Sequence, residues 1–164
     1  MKILYKIAET IYRIFATGII TVGISLLILY CIGIRPYAVR SGSMEPEIEI
    51  GSICFVNHNI SYSDIEIGDI IAFKLSNHTM VTHRVTDKTE DGFITKGDNN
   101  NVEDAAMITE NEYVGKTIYW IPKAGYAVMF LHTRRGLIVC SCIFLMFFLT
   151  GFLFHDDEEG GKKI

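Results

Sequence analysis

The chain has 164 residues, 49% of them hydrophobic and 12% aromatic, with a mean hydropathy of +0.28, which excludes a soluble domain of average composition. A formal net charge of −4, with no basic run longer than Arg134-Arg135, excludes an electrostatic nucleic-acid binder. The four cysteines, Cys31, Cys54, Cys140 and Cys142, have a spacing that suits neither zinc nor a disulfide frame, and they are read as small buried hydrophobes.

The apolar excess sits in two blocks. A short basic segment, residues 1–13, carries Lys2, Lys6 and Arg13 and leads into a stretch from Ile14 to Ile34 that holds no charge. About 21 residues of helix span the ~30 Å hydrocarbon core, so residues 14–34 are predicted to form a transmembrane helix. A cleaved signal peptide is the competing reading, but the run exceeds an ordinary h-region and no small-x-small site follows it.

Residues 35–135 have ordinary polarity and must fold around their own core. Runs of Val, Ile, Phe, Tyr and Thr alternate there with Gly, Asn and Asp turns: Ser52 to Val56, Asp69 to Leu75, Thr79 to Thr86, Gly92 to Thr95 and Tyr113 to Ile121. Gly68-Asp69, Asp91-Gly92 and Gly97-Asp98-Asn99 supply the turn chemistry. The expectation is a mainly β fold: a compact, mostly antiparallel domain, barrel-like or sandwiched, between an N-terminal and a C-terminal transmembrane helix. The second helix is placed at residues 136–154, again free of charge and without a polar face, followed by a charged tail at 155–164. Lys and Arg are shared almost equally between the two sides, and the flank of the first helix favours an inside N-terminus with the middle domain outside.

Just beyond the first helix stands Ser41-Gly42-Ser43-Met44-Glu45-Pro46. In an extended segment Ser41 and Ser43 face the same way, so one hydroxyl can attack a carbonyl while the other donates to the oxyanion, with Gly42 leaving room for a substrate backbone. On local composition alone, an ordinary turn explains the same residues.

A serine nucleophile needs a base. Of His58, His78, His83, His132 and His155, only His83 falls in the middle of a predicted strand, the stiffest platform, whereas His78 falls in a predicted hairpin turn. The imidazole in turn needs a carboxylate to orient it, and Asp98 and Asp104 lie downstream in one loop. Taken singly, Asp98 reads as a turn residue and Asp104 as a helix cap. A metal site built from His78, His83 and nearby acids matches no trusted ligand spacing.

Together these segments resemble the type I signal peptidases, in the subtype found in the endoplasmic reticulum, archaea and some Gram-positive bacteria. Residues 41–46 resemble the nucleophile box, Gly68 to Phe73 the strand that follows it, His83-Arg84-Val85 the base box, and Lys96 to Asn100 with Asp104 the acid box. The common bacterial subtype would place lysine where this chain has His83; Lys74, on the preceding strand, is read as solvent-facing. The resemblance implies Ser43 as nucleophile, His83 as general base and then acid, Asp104 as orienting carboxylate and Asp98 as required. Which aspartate touches the imidazole stays open at this point. It further implies an oxyanion hole from Ser41 and the Ser43 N–H, and no metal or organic cofactor.

The implied function is a membrane-bound serine endopeptidase that removes N-terminal signal peptides from exported preproteins after small residues. The implied partners are signal-peptide-bearing preproteins and the lipid bilayer, with room for accessory membrane subunits and no nucleic acid. The implied location is the cell membrane, multi-pass, with the catalytic domain extracytoplasmic, or alternatively the endoplasmic reticulum membrane with a lumenal domain. The rival class is a non-catalytic, membrane-tethered β module that binds a partner through its loops. Asn59-Ile60-Ser61 and Asn77-His78-Thr79 match the glycosylation pattern without establishing a lumen.

Overall fold

The structure, a computed structural model, describes residues 2–75 and 79–160, with side chains described for 6–75 and 79–150. The predicted turn at residues 76–78, with His78 and the second glycosylation triplet, lies outside the described residues, as does the end of the tail. The chain divides into two compact units, a β unit at Leu29–Met129 and a helical unit formed by the flanking segments.

Helix α1 runs over Lys2–Cys31, longer at its start and shorter at its end than the predicted 14–34. It begins early because Glu9 and Arg13 form an i,i+4 ion pair at 2.7 Å and so carry their charge within helical geometry. Thr10, Thr17, Thr21 and Ser25 each donate a hydroxyl to the carbonyl four residues back at 2.8 Å, which satisfies these polar groups along an apolar helix. Lys6–Cys31 is, among the described residues, the one single helix long and apolar enough to cross a membrane.

The end of α1 has a specific cause. Gly33 adopts φ +77, the left-handed conformation that stops a helix, and the Asn59 amide donates to the carbonyl of Ile32 at 3.0 Å while the His58 N–H donates to the carbonyl of Gly33 at 2.9 Å. Ile34, assigned to the helix from sequence, therefore opens strand β1 instead. The side chain of Asn59, the first residue of a glycosylation triplet, is engaged in this cap.

The β unit is a single six-stranded sheet: β1 Ile34–Ala38, β2 Ile53–Asn57, β3 Ile70–Lys74, β4 Met80–Lys88, β5 Phe93–Lys96 and β6 Tyr113–Ile121, in the order β1-β2-β6-β3-β4-β5, every neighbouring pair antiparallel. Five of these strands answer the predicted runs, shifted by a residue or two at some ends. The antiparallel expectation holds, and the strands, among the described residues, form one sheet. Helix α2, Gly125–Leu131, was not expected and ends the predicted middle segment in helix. Helix α3, Arg134–Gly160, covers the second apolar block; its described apolar part reaches membrane-crossing length only if taken together with α2.

Strand β3 organises the core, because four of its residues in succession, Ile70 to Phe73, are buried. Ile71 and Phe73 enter a cluster with Ile65, Val85, Phe93 and Ile108, whereas Ile70 joins Met44, Ile48 and Cys54. A strand that feeds two clusters reads as a continuous apolar run, as β3 does. Each fully buried large side chain contributes ~1.5–3 kcal/mol. Of the cysteines, only Cys54 is buried; Cys31, Cys140 and Cys142 are exposed on helices, contrary to the sequence reading.

Phe93 is 1% exposed, whereas Val102 is 73% exposed. Phe93→Ala is expected to cost ~3–5 kcal/mol and Val102→Ala less than ~0.5 kcal/mol, read by urea unfolding followed through far-UV circular dichroism. Burial also pushes the Cys54 thiol from 9.0 up to about 11, and burial with the nearby Asp69 and Asp64 pushes the Tyr113 hydroxyl from 10.0 up to about 12. Both groups hold their proton more tightly folded than unfolded. The stability they contribute is intact below pH 9.0 and is lost as pH rises through these folded values, so the melting temperature should fall as pH rises beyond about 9.

Candidate active site

His83 sits on β4 opposite Ile71, with 7% of its surface exposed, and its ring meets Phe73 edge-on with centroids 6.1 Å apart. Alternation along β4 sends His83 and Val85 inward and Arg84 to the other face. Val85 pairs with Thr95 on β5, so the buried hydroxyl of Thr95 lies on the histidine's side of the sheet.

After β5 the chain turns at Gly97, where the Asn100 N–H donates to the Gly97 carbonyl, and returns so that the Asp104 N–H donates to the Thr95 carbonyl at 2.8 Å. That return delivers the Asp104 carboxylate to the imidazole. Its Oδ2 accepts from His83 Nδ1 at 2.6 Å and from the Thr95 hydroxyl at 2.6 Å. A proton held on Nδ1 by a carboxylate leaves Nε2 of the neutral ring as the atom able to accept one. Of the two aspartates left open from sequence, Asp104 touches the imidazole; no helix follows it, so the capping alternative does not apply.

Asp98 has a different partner. Arg84 donates from Nε to Oδ1 at 2.9 Å and from Nη2 to Oδ2 at 2.6 Å, a two-pronged pair, and from Nη1 to the Gly68 carbonyl at 2.9 Å. The hydrogen bond that Arg84 donates to Asp98 is the main cause of the raised Arg84 pKa. The loop after β5 is thus fastened twice to β4, through Asp104 on one face and Asp98 on the other.

Ser43 is half-buried in a turn, not in the extended segment assumed from sequence, and Ser41 is exposed. The Glu45 N–H donates to the Gly42 carbonyl at 3.1 Å and the Ile48 N–H to the Met44 carbonyl at 2.9 Å, which curls the chain. Met44, 2% exposed, plugs the cluster of Ile48, Cys54 and Ile70, so it packs in the core and anchors the residue beside it. The turn is tied to the acid loop: the Asn99 N–H donates to the Ser43 carbonyl at 2.8 Å and its side-chain amide to the Gly42 carbonyl at 3.2 Å. A Cβ on Gly97 would lie 2.6 Å from the Ser43 carbonyl oxygen, so only glycine permits this approach. Among the described residues no hydrogen bond joins the Ser43 hydroxyl to the His83 ring; in substrate-free serine sites this contact is commonly long.

Lys74 is exposed at the end of β3, as expected, and the ammonium of Lys116 is held by Asp69 at 2.7 Å. Two participants escaped the sequence reading. Thr95 had a signal, since strand alternation from Phe93 turns it inward, where a buried hydroxyl requires an acceptor. Asn99 falls in the turn and in the segment that resembles the acid box, but the sequence assigns it no role of its own.

A family model described as signal peptidase, peptidase S26, matches residues 9–120, which hold all of these groups. The chain belongs to the signal peptidase family. Among its relatives is signal peptidase I W of Bacillus subtilis (strain 168), 42% identical over 77 residues, 44% of this chain and 40% of that protein. The signal peptidase complex catalytic subunit SEC11 of Colletotrichum graminicola is 31% identical over 106 residues, 57% of this chain and 61% of that protein. That of Scheffersomyces stipitis is 27% identical over 122 residues, 64% of this chain and 72% of that protein. The chain thus spans less than two thirds of the length of the first two.

In this signal peptidase family member the Arg84–Asp98 pair is partly exposed, at 33% and 19% of the two side chains, which moderates its worth. A double-mutant cycle on Arg84→Met and Asp98→Asn, read by urea unfolding, is expected to return a coupling energy of about 1–2 kcal/mol. A coupling near zero would mean that the pair does not fasten the loop.

Proposed function

We propose that the chain is a membrane-anchored serine endopeptidase that removes N-terminal signal peptides from exported preproteins, cutting after small residues. The observation that carries this reading is the loop after β5, which holds the His83 ring through Asp104 and the backbone of Ser43 through Asn99. In the proposed reaction Ser43 Oγ attacks the scissile carbonyl as His83 Nε2 takes its proton, and the Ser43 N–H with the Ser41 hydroxyl receives the negative oxygen. His83, positively charged beside Asp104, then passes the proton to the departing amine. Water hydrolyses the ester on Ser43 by the same steps, and the small-residue fragment leaves as a carboxylate. Asp98 acts through Arg84, not on the imidazole.

The helical segments supply the anchor. The apolar length of α1 supports a first span, and α3, with α2 at its start, is the proposed second; with the N-terminus inside, as the basic flank of α1 favours, the β unit lies on the extracytoplasmic side of the cell membrane or in the lumen of the endoplasmic reticulum. Holding the enzyme in the bilayer raises the local concentration of preproteins whose cleavage sites emerge there. The fungal relatives are named as catalytic subunits of a signal peptidase complex, which supports accessory membrane subunits here.

The test is cleavage of a preprotein with small residues at the first and third positions before the cut, by the full chain purified in detergent. Ser43→Ala is expected to abolish cleavage, and Asp104→Asn, which leaves the ring without its carboxylate acceptor, to lower kcat by ~10²–10⁴-fold. Cleavage undiminished in Ser43→Ala would overturn the assignment of the nucleophile, and a wild-type chain that never cleaves would favour the binding-module alternative.

A further inference from the structure

The peptide group that joins Gly42 to Ser43 is held from one edge only. Its carbonyl accepts two hydrogen bonds, from the Glu45 N–H at 3.1 Å and from the Asn99 side-chain amide at 3.2 Å. In a trans peptide the N–H points away from the carbonyl within one rigid plane, so fixing the oxygen fixes the direction of the Ser43 N–H. Among the described residues that N–H has neither a backbone nor a side-chain acceptor, although the residue is half-buried. An N–H without an acceptor in the chain beside a serine hydroxyl, in a plane pinned from its far side, is a donor oriented in advance for an oxygen supplied from outside the chain.

We propose that Asn99 is a positioning residue for the oxyanion donor: its side-chain amide, acting through the Gly42 carbonyl, aims the Ser43 N–H at the oxygen that turns negative in the tetrahedral intermediate. The second bond from the same residue, its own N–H to the Ser43 carbonyl at 2.8 Å, fixes the next peptide group, so both sides of the nucleophile's backbone are referred to one loop. That loop also delivers Asp104 to His83. A shift of Asn99 therefore disturbs the oxyanion donor, while the general base keeps its separate bond to Asp104. This inference rests on the peptidase reading above and assigns a role to a residue that needs no contact with substrate.

The experiment compares wild type, Asn99→Ala and Asn99→Asp in detergent, with the preprotein substrate and with a peptide aldehyde, whose adduct on Ser43 carries the same oxyanion. Asn99→Asp keeps the size and the backbone N–H but sets an acceptor against the Gly42 carbonyl. Removing an oxyanion donor outright typically costs ~10²–10³-fold in kcat, so misaiming one is expected to cost about 10-fold. KM should stay unchanged, and aldehyde affinity should fall in parallel with kcat. Unchanged kcat and aldehyde affinity in a folded Asn99 variant, or a rise in KM alone, would overturn the proposal. A measurement on the wild-type chain does not depend on how the variants fold: on adduct formation the Ser43 amide proton is expected to move downfield in the NMR spectrum, and an unmoved resonance overturns the proposal. Ser43→Ala separates the two layers, since activity retained there sinks Ser43 as the nucleophile on which the role of Asn99 rests, whereas an inactive Ser43→Ala beside a fully active Asn99→Ala sinks only the role of Asn99.

Discussion

An imidazole buried in a sheet must have an acceptor for its Nδ1 proton, and the carboxylate of Asp104 at 2.6 Å is that acceptor for His83. Much of the local architecture serves this contact. Thr95 donates to the same carboxylate oxygen, the Asp104 N–H is taken by the Thr95 carbonyl, and the Arg84–Asp98 pair fastens the start of the loop that carries Asp104. Satisfying one buried polar group thereby dictates the path of seven residues of irregular chain, and that path brings Gly97 and Asn99 against the backbone of Ser43. Removing the carboxylate would cost more than one hydrogen bond, because the buried ring and the buried threonine would both lose their partner.

The two hydrophobic clusters explain how one strand pair supports parts of the site that lie far apart in sequence. β3 directs Ile71 and Phe73 to the cluster beneath His83 and Ile70 to the cluster sealed by Met44. The histidine and the serine turn are therefore each seated on a packed apolar layer, and the loop after β5 bridges them. Rigid seating with a polar bridge is what preorganised chemistry requires, since the cost of orienting the groups is met during folding and not at each turnover.

Legibility in the sequence followed the strength of the local rule. β6 was read to the residue, because Tyr113 to Ile121 is long and bounded by turns, and β3 was read from its unbroken apolar run. α1 was misplaced at both ends for two physical reasons. A charge-free window cannot detect a helix that continues through a Glu9–Arg13 pair, and its end depends on Asn59 and His58, about 27 residues away. α2 follows Lys123, whose positive φ of 62 carries no strong signature in sequence. Within the site, residue types and chain order were legible, but partner choice was not. Asp98 and Asp104 stand in the same loop, and only the register that pairs Val85 with Thr95 determines which of them reaches the inward side chain of β4 and which meets Arg84 on the other face.

The histidine and its acidic loop belong together for a physical reason. A lysine base must lose its proton to act, which demands strong desolvation of the ammonium but little orientation, because an amine has no second nitrogen to hold in place. An imidazole is already largely neutral near pH 7 and needs less burial, but it has two nitrogens and a rotatable plane, so it acts only when something fixes the tautomer and the tilt. In its proposed role as base, at the position where the common bacterial subtype that the chain resembles would have lysine, His83 therefore makes a carboxylate on its far nitrogen a requirement. Asp104 meets it, with Thr95 holding that carboxylate in turn. The proposed base and the length of the loop after β5 form a single design decision: a lysine at position 83 would leave Asp104 with no ring to orient, and Asp104 without His83 would keep, among the described residues, the hydroxyl of Thr95 as its one side-chain donor.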